Sequence, residues 1–451
     1  MPYEKLKLLI QPVKMKSALE IWDTSETPLA KIAWVRGPKK PRDVMRNMEV
    51  PPKNVSLDAL EKEGLIIALK PVEIKHPEDV KKIPNNIDAI LIRDSEDWLV
   101  DDKILDALAA LNKPILMEWD KWGYSIHGRI SKFRFKKYRN VKRYYTMGID
   151  DVISLLRGLR GWKAIRTLKI LFIGKHPSHS VAVSPNVTFE KLREKFGNEI
   201  VQIELKEYVE EVNSVSDEKA KETVKEWKKS FVFLDNRINN VFHYAKIYIA
   251  LKDLLKKYGA NSLTMDCAAL PDLEYVPCLA FSLLINEGIP CGCEADLPAL
   301  FAMALLMGVS RKPVLMGNLN ENIMHADIEN NVIVINHDIV PPYFSCANCR
   351  FYVKDYHAMG KGATPYTELV SGMEVTIAGI HWDMDSLWAT TGKIVWTKDF
   401  VHCRVGVGVK VANAKKISRD AFGHHVVLTY GNYMNELRRA ADALNIEFIK
   451  F

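Results

Sequence analysis

The stretch "GIPCGCEADLPALFAMALLMG", residues 288–308, joins a short strand pattern to a long apolar run and places two acids between them. The apolar run from Leu297 onward has helical length, and Asp296 directly before it is a residue type favoured at the N-cap of a helix. Glu294 has no such local role, and a carboxylate is costly to bury unless it is paired, so a salt bridge is its simplest alternative use. Ligands of α/β proteins bind where a strand ends and a helix begins, so the segment predicts an α/β fold with Glu294 at its site.

The sequence before this segment alternates strand and helix patterns. Apolar strand patterns lie at 6–10, 87–93 and 113–119, a helical pattern at 101–112 separates the last two, and a second series begins near residue 167. Strands that are apolar throughout and separated by helices are typical of parallel sheets covered on both faces. We therefore expect two α/β units, both Rossmann-like or flavodoxin-like.

After about residue 317 the pattern changes to short strands separated by turns, which favours a small β-barrel or sandwich. An amphipathic helix pattern and a final strand pattern close the sequence. The predicted organisation is an N-terminal α/β domain (1–163), a central α/β domain (164–316) and a C-terminal β-barrel domain with a terminal helix (317–451).

Composition and charge limit the class of protein. The net charge of +7 over 451 residues is mild, the N-terminus has no apolar signal core, and the longest apolar run is too short to cross a bilayer. The phosphate-binding glycine motifs GxGxxG and GxxxxGK[ST] are absent from the sequence. We expect a cytoplasmic protein that uses no membrane and no nucleotide cofactor.

A basic and aromatic run, "RISKFRFKKYRNVKRYY" at 129–145, has two interpretations. Interleaved Lys/Arg and aromatic residues can bind a nucleic-acid backbone, and they also occur on solvated faces and at subunit contacts. The sequence has one such run and little net charge, which argues against a nucleic-acid partner.

Acids and histidines that follow Glu294 suggest a metal site. His337 ends a strongly apolar strand pattern, where a lone histidine is ordinarily a core residue with its hydrogen bonds satisfied. His424 and His425 begin another such pattern, and neighbouring strand residues point to opposite faces, so we expect one of them to face a site. Carboxylates together with neutral imidazoles suit a divalent cation such as Mn²⁺.

The C-terminal 220 residues or so of the chain resemble the L-fucose isomerase and L-arabinose isomerase superfamily, whereas the first third shows no recognisable family signature. The segments that carry the resemblance are "MDCAALPDLEYVPCLAFSLLINEGIPCGCEADLPALFAMALL", "NVIVINHDIVPP", "CRFYVKDYHAMGKG" and "FGHHVVLTYGNYMNELRRAADALNIEFI". The resemblance implies two α/β domains, a C-terminal β-barrel, and assembly as a homotrimer or homohexamer. It also implies that a neighbouring subunit closes the pocket, and we expect the 129–145 run to make that contact.

The resemblance further implies a manganese ion held by Glu294, a second acid, His337 and one of His424/His425. The second acid corresponds to Glu321. Counting back from His337 without gaps instead places Asn320 there, and Asp327 is another nearby carboxylate.

The predicted function is metal-dependent aldose–ketose isomerisation of a sugar through an ene-diolate. Glu294 and Glu321 would be both metal ligands and the acid–base pair, with His357, Asp327 and Asn320 as candidates for contacts with the sugar. If Asn320 takes the place of the second acid, the alternative is a sugar-binding relative with altered or lost chemistry.

Overall fold

The computed structural model describes residues 5–15, 56–92, 102–118, 142–146, 148–176, 187–234 and 237–451. The chain divides into two compact units, Lys7–Arg160 and Gly161–Phe451, and Met1–Leu6 belongs to the second. Within the described ranges, none of the helices combines the length and the apolar content that a bilayer crossing requires. The three-domain division remains a prediction.

The first unit contains a parallel sheet in the order β2-β1-β4-β5-β6, with β3 also paired to β1. The predicted parallel arrangement of these strands is confirmed. The helices and strands of this unit are β1 Leu8–Met15, α1 Leu57–Lys62, β2 Ile66–Ala68, β3 Val72–Ile74, β4 Ala89–Ile92, α2 Asp102–Ala110, β5 Ile115–Glu118, β6 Arg143–Thr146 and α3 Gly148–Arg166, whose residues from Gly161 onward belong to the second unit. Of the 129–145 run, residues 129–141 lie outside the described residues, and Arg143 begins β6.

The second unit begins with a four-stranded parallel sheet in the order β11-β10-β7-β8. It too confirms a predicted parallel sheet, while the Rossmann-like assignment remains a prediction. The elements of this part are β7 Lys169–Ile173, α4 Phe189–Phe196, β8 Glu199–Ile203, α5 Leu205–Ser214, α6 Asp217–Ser230, β9 Phe231–Phe233, α7 Val241–Tyr258, β10 Ser262–Met265, α8 Cys278–Asn286, β11 Cys291–Gly292 and α9 Leu297–Ser310.

A closed antiparallel barrel of six strands follows, as the turn-rich pattern predicted. The strands run in the order β16-β19-β12-β13-β18-β17, and β17 pairs back to β16, which leaves no open edge in the ring. The elements are β12 Leu315–Leu319, β13 Val332–His337, β14 Phe351–Lys354, β15 Thr364–Tyr366, β16 Glu374–Ile380, β17 Ser386–Asp399, β18 Val405–Val411, α10 Ala414–Asp420, β19 His425–Tyr430, α11 Met434–Leu444 and β20 Glu447–Lys450.

A small sheet that the sequence patterns did not indicate joins the two halves of the second unit. β14 pairs with β15 in antiparallel fashion and with β9 in parallel fashion. Because β9 precedes residue 316 and β14 follows it, this sheet crosses the predicted boundary between the central and C-terminal domains.

Helix α9 lies between these halves and explains why its sequence is apolar all round. Every residue from Leu297 to Val309 is buried. The helix packs against β10 and β11 of the parallel sheet and against β16 and β19 of the barrel. Asp296 caps its first turn, since Oδ1 accepts a hydrogen bond from the Ala299 N–H at 3.0 Å, as predicted.

Gly392 of β17 pairs with Val375 on β16 and with Val411 on β18. A Cβ atom here would lie 2.7 Å from the Lys410 carbonyl oxygen, so the backbone of β18 would have to move. We expect Gly392→Ala to lower the free energy of unfolding by about 1–3 kcal/mol in urea unfolding followed by circular dichroism. Lys393→Ala, at the adjacent exposed position, is the control and should change it by less than about 0.5 kcal/mol. Equal stability of the two variants would contradict the proposed crowding.

Candidate metal centre and its cavity

A cavity of about 270 Å³ lies within the second unit. Five residues selected from the sequence line it: Glu294, Glu321, His337, His357 and His424. The cavity therefore brings together side chains from the carboxyl end of the parallel sheet and from the barrel.

His337 is the last residue of β13 and is buried. Its Nδ1 accepts a hydrogen bond from the Asp338 N–H at 2.8 Å, and its Nε2 lies 3.2 Å from Nε2 of His425. Burial, together with the charge of His425, lowers the pKa of His337 to about 4. His337 is therefore an uncharged imidazole near neutral pH.

His425 is the first residue of β19, and its side chain is fully buried. Its Nδ1–H donates to Oδ2 of Asp296 at 2.8 Å, and its Nε2 lies 3.7 Å from Oε1 of Glu294. Burial opposes protonation, but the hydrogen bonds and charges of Asp296 and Glu294 outweigh it and raise the pKa of His425 to about 9. A carboxylate that orients one ring nitrogen is the usual outer partner of a metal-binding histidine.

When both rings are neutral, one proton lies between the two Nε2 atoms, because Nδ1 of His337 accepts from Asp338 and Nδ1–H of His425 donates to Asp296. A metal ion at this place therefore competes with protons for the ring nitrogens.

Glu294 sits on a strained turn between β11 and α9. Glu294 and Ala295 have φ values of 56° and 58°, a region that costs a non-glycine residue about 1–3 kcal/mol. The Glu294 side chain is 27% exposed, and one of its oxygens lies within 4.8 Å of the ring nitrogens offered by His337 and His425. The turn thus brings a carboxylate to two imidazoles, which is a ligand set suited to a divalent cation.

Glu321 lines the same cavity but lies outside this three-residue group. Its Oε2 accepts hydrogen bonds from Nδ2 of Asn318 at 2.5 Å and from Nδ2 of Asn336 at 3.0 Å. Partial burial raises the pKa of Glu321, but these amide hydrogen bonds outweigh it, and the net effect is a lowered pKa. Glu321 is therefore an ionised carboxylate held at the cavity wall.

The other two candidates for the second acid are placed elsewhere. Asn320 donates to Oγ of Ser418 at 2.8 Å and accepts from the Val334 N–H at 2.9 Å. Asp327 accepts from the backbone and side chain of Asn330 at 3.2 and 2.8 Å, in the turn before β13. Neither residue is among those that line the cavity, so their placement lends no support to the predicted sugar contacts.

His424 and His425 both lie at the site, which differs from the expected alternation. The strand begins at His425, and the preceding Gly423 has a φ of 92°, so strand alternation does not extend to His424. His424 lines the cavity, while His425 contacts Glu294 and His337. Burial and the charge of His425 lower the pKa of His424.

Sequence reasoning missed several cavity residues. Asp338 is buried, and its Oδ2 lies 2.7 Å from Nε2 of His357. His402 and Cys403, in the turn between β17 and β18, also line the cavity. Two features of the sequence could have indicated these residues: an acid directly after His337, and a His–Cys pair between two strand patterns.

Known proteins resemble parts of this chain. Residues 179–310 match the family model of the L-arabinose isomerase central domain. L-arabinose isomerase from Thermotoga maritima is 32% identical over 108 residues, 23% of this chain and 22% of the relative. L-arabinose isomerase from Thermotoga neapolitana is 32% identical over 92 residues, 20% of this chain and 18% of the relative. L-arabinose isomerase from Clavibacter sepedonicus is 25% identical over 153 residues, 33% of this chain and 30% of the relative.

These matches support the arabinose isomerase family, over segments that span less than a third of the relatives' length. The family-model match includes Glu294 and ends before Glu321, His337 and His425. The L-fucose isomerase part of the resemblance remains a prediction.

Proposed function

We propose that this protein is an aldose–ketose isomerase that interconverts an aldose and its ketose in the cavity beside Glu294. The observation that carries the proposal is that two carboxylates, Glu294 and Glu321, line one cavity together with His337, whose Nε2 lies 3.2 Å from Nε2 of the buried His425. The similarity to L-arabinose isomerases supports the same reaction class.

The residues that would hold a divalent cation such as Mn²⁺ are Glu294, His337 and His425. Their potential ligand atoms lie within 4.8 Å of one another, and Asp296 orients His425 from outside, so the donor set fits such an ion. A bound cation would supply Lewis-acid stabilisation of the negative charge that develops on the sugar oxygens.

The two carboxylates would divide the proton transfer. An ionised Glu321, with Oε2 held by Asn318 and Asn336, is suited to take the proton from C2 of the aldose. Loss of that proton gives an ene-diolate. Glu294 would take the proton of the O2 hydroxyl and return it to C1, and the proton held by Glu321 would pass to O1, which gives the ketose and leaves both carboxylates ionised. The amide donors keep Glu321 ionised and fix its position.

A sugar-binding relative without isomerase chemistry is the alternative. It depended on Asn320 standing in for the second acid. Because Asn320 is hydrogen-bonded to Ser418 and Val334 while Glu321 lines the cavity, the isomerase is better supported.

The experiment that tests the proposal uses the purified protein with Mn²⁺ and a panel of aldoses that includes L-arabinose and L-fucose. We expect one sugar to lose a C2 deuterium label to solvent and to form its ketose, both followed by NMR. Binding of a sugar without exchange would identify the sugar-binding alternative. If no sugar bound or exchanged, the proposal would fail.

Asp296 provides a test of the metal centre that spares the helix cap. Asn is as good an N-cap as Asp, so Asp296→Asn should preserve α9 while weakening the hold on His425. We expect the Kd for Mn²⁺, measured by isothermal titration calorimetry, to rise by about 10–100-fold. Asp327→Asn, in the turn outside the cavity, is the matched control. Unchanged Mn²⁺ affinity in Asp296→Asn would limit Asp296 to its capping role.

Assembly and location complete the proposal. A homotrimer or homohexamer, in which the 129–145 run meets the site of an adjacent subunit, and a cytoplasmic location both remain predictions.

A further inference from the structure

We propose a second metal site in the same cavity, formed by His357, His402 and Cys403, that binds a borderline cation such as Zn²⁺. One nitrogen of each histidine and Sγ of Cys403 lie within 4.8 Å of one another. Sγ of Cys403 is 3.9 Å from Nε2 of His357, and the two imidazole rings have centroids 4.2 Å apart.

The donor atoms distinguish this site from the Glu294 centre. Two imidazole nitrogens and a thiolate sulfur favour Zn²⁺ and similar cations, and three protein ligands leave a position for water or a substrate oxygen. The Glu294 centre offers one carboxylate and two imidazoles, which suits a harder ion. The two sites are thus expected to select different metals.

A buried carboxylate fixes the ring of His357 at the cavity wall. Oδ2 of Asp338 lies 2.7 Å from Nε2 of His357, and Oδ1 of Asp338 accepts a hydrogen bond from the Arg404 N–H at 2.9 Å. Because this Nε2 is also the nitrogen that lies 3.9 Å from Sγ of Cys403, a cation bound there would take the place of the proton between Nε2 and Asp338.

Backbone strain supplies an independent observation. His357, Ala358 and Cys403 have φ values of 46°, 57° and 52°. Non-glycine residues in this region cost about 1–3 kcal/mol each and cluster at ligand clamps. Both loops that carry the ligands are therefore strained, as is the turn that carries Glu294.

The charge around the site favours a cation. The carboxylates of Asp338, Glu321 and Glu294 border the same cavity. When the ion binds, the S–H bond of Cys403 breaks, a bond between sulfur and the metal forms, and the released proton passes to the buffer.

Occupancy of this site has a consequence for Glu321, and that consequence rests on the proposed function. Nδ1 of His402 is 3.8 Å from Oε1 of Glu321. A divalent charge bound by His402 would lower the basicity of Glu321, so Zn²⁺ would inhibit isomerisation. The site therefore couples the availability of a second metal to activity.

Cobalt is the probe for the test, because a thiolate bound to Co²⁺ gives a charge-transfer absorption that oxygen and nitrogen ligands do not. We expect the full chain to show this band with excess Co²⁺ and to retain two Co²⁺ ions. Cys403→Ser should lose the band and one ion. Cys267→Ser removes another cavity thiol and is the matched control, with the band preserved.

His402→Ala is the second variant, and since this side chain is 58% exposed it should not disturb folding. It should weaken the binding of the second ion and raise the Zn²⁺ concentration needed for half inhibition by at least about tenfold. Absence of the band in the full chain, or a band that survives Cys403→Ser, would overturn the site. A protein with the band and no isomerase activity would instead refute the proposed function alone.

Discussion

Glu321→Gln is expected to lower kcat for aldose–ketose exchange by about 10²–10⁴-fold, because an amide cannot take up and return a proton. The amide oxygen can still accept the hydrogen bonds of Asn318 and Asn336, so the cavity wall should keep its shape. Since Glu321 lies outside the group formed by Glu294, His337 and His425, Mn²⁺ affinity should be retained. Exchange of the C2 hydrogen followed by NMR measures the first effect, and calorimetry the second.

Asp327→Asn is the control for this substitution. It removes an exposed carboxylate that lies in the turn before β13, and its kcat should equal that of the unchanged protein. Full activity in Glu321→Gln would transfer the role of base to another group. Loss of Mn²⁺ together with activity would instead make Glu321 a metal ligand.

Glu294→Ala and His337→Ala are each expected to abolish retention of Mn²⁺. Each change removes one of three ligand atoms, so the loss of affinity should exceed the roughly 10–100-fold that follows removal of an outer partner. Metal content after desalting and calorimetric titration of the metal-free protein would measure it. Activity should fall in parallel if the ion stabilises the ene-diolate.

The matched controls are Glu329→Ala and His76→Ala, which remove an exposed glutamate and an exposed histidine. Both should retain Mn²⁺ as the unchanged protein does. Unaltered Mn²⁺ affinity in either Glu294→Ala or His337→Ala would remove the proposed centre.

The strand-to-helix segment at residues 288–308 shows how much of the site follows from sequence. An apolar run after Asp296 predicts both the helix and its cap, and the preceding strand places Glu294 at the carboxyl end of a parallel sheet. These features depend on local pattern and general topology. The helix, its cap and the position of Glu294 could therefore be predicted from the sequence.

Sequence patterns do not predict whether Asn320 or Glu321 faces the cavity. Asn320 has a φ of 54°, its side chain reaches Ser418, and the next residue lines the cavity. One backbone dihedral angle thus decides which of two neighbours faces inward, and a pattern of residue types does not encode it. The same holds for His424, whose position depends on where β19 begins.

The other cavity residues that were not predicted from the sequence are brought together from distant parts of the chain. Asp338 meets His357, and Cys403 approaches it from a different turn of the barrel. No spacing rule links these positions, because the closure of the barrel brings them together.

Helix α9 is synthesised before the barrel strands that bury it. The ribosome completes this apolar helix before it makes β16 and β19, the barrel strands that cover it. Until β19 has emerged, the nascent polypeptide has an uncovered apolar face of the kind that chaperones bind. A premature stop codon before His425 would therefore yield an aggregation-prone fragment rather than a shorter folded protein.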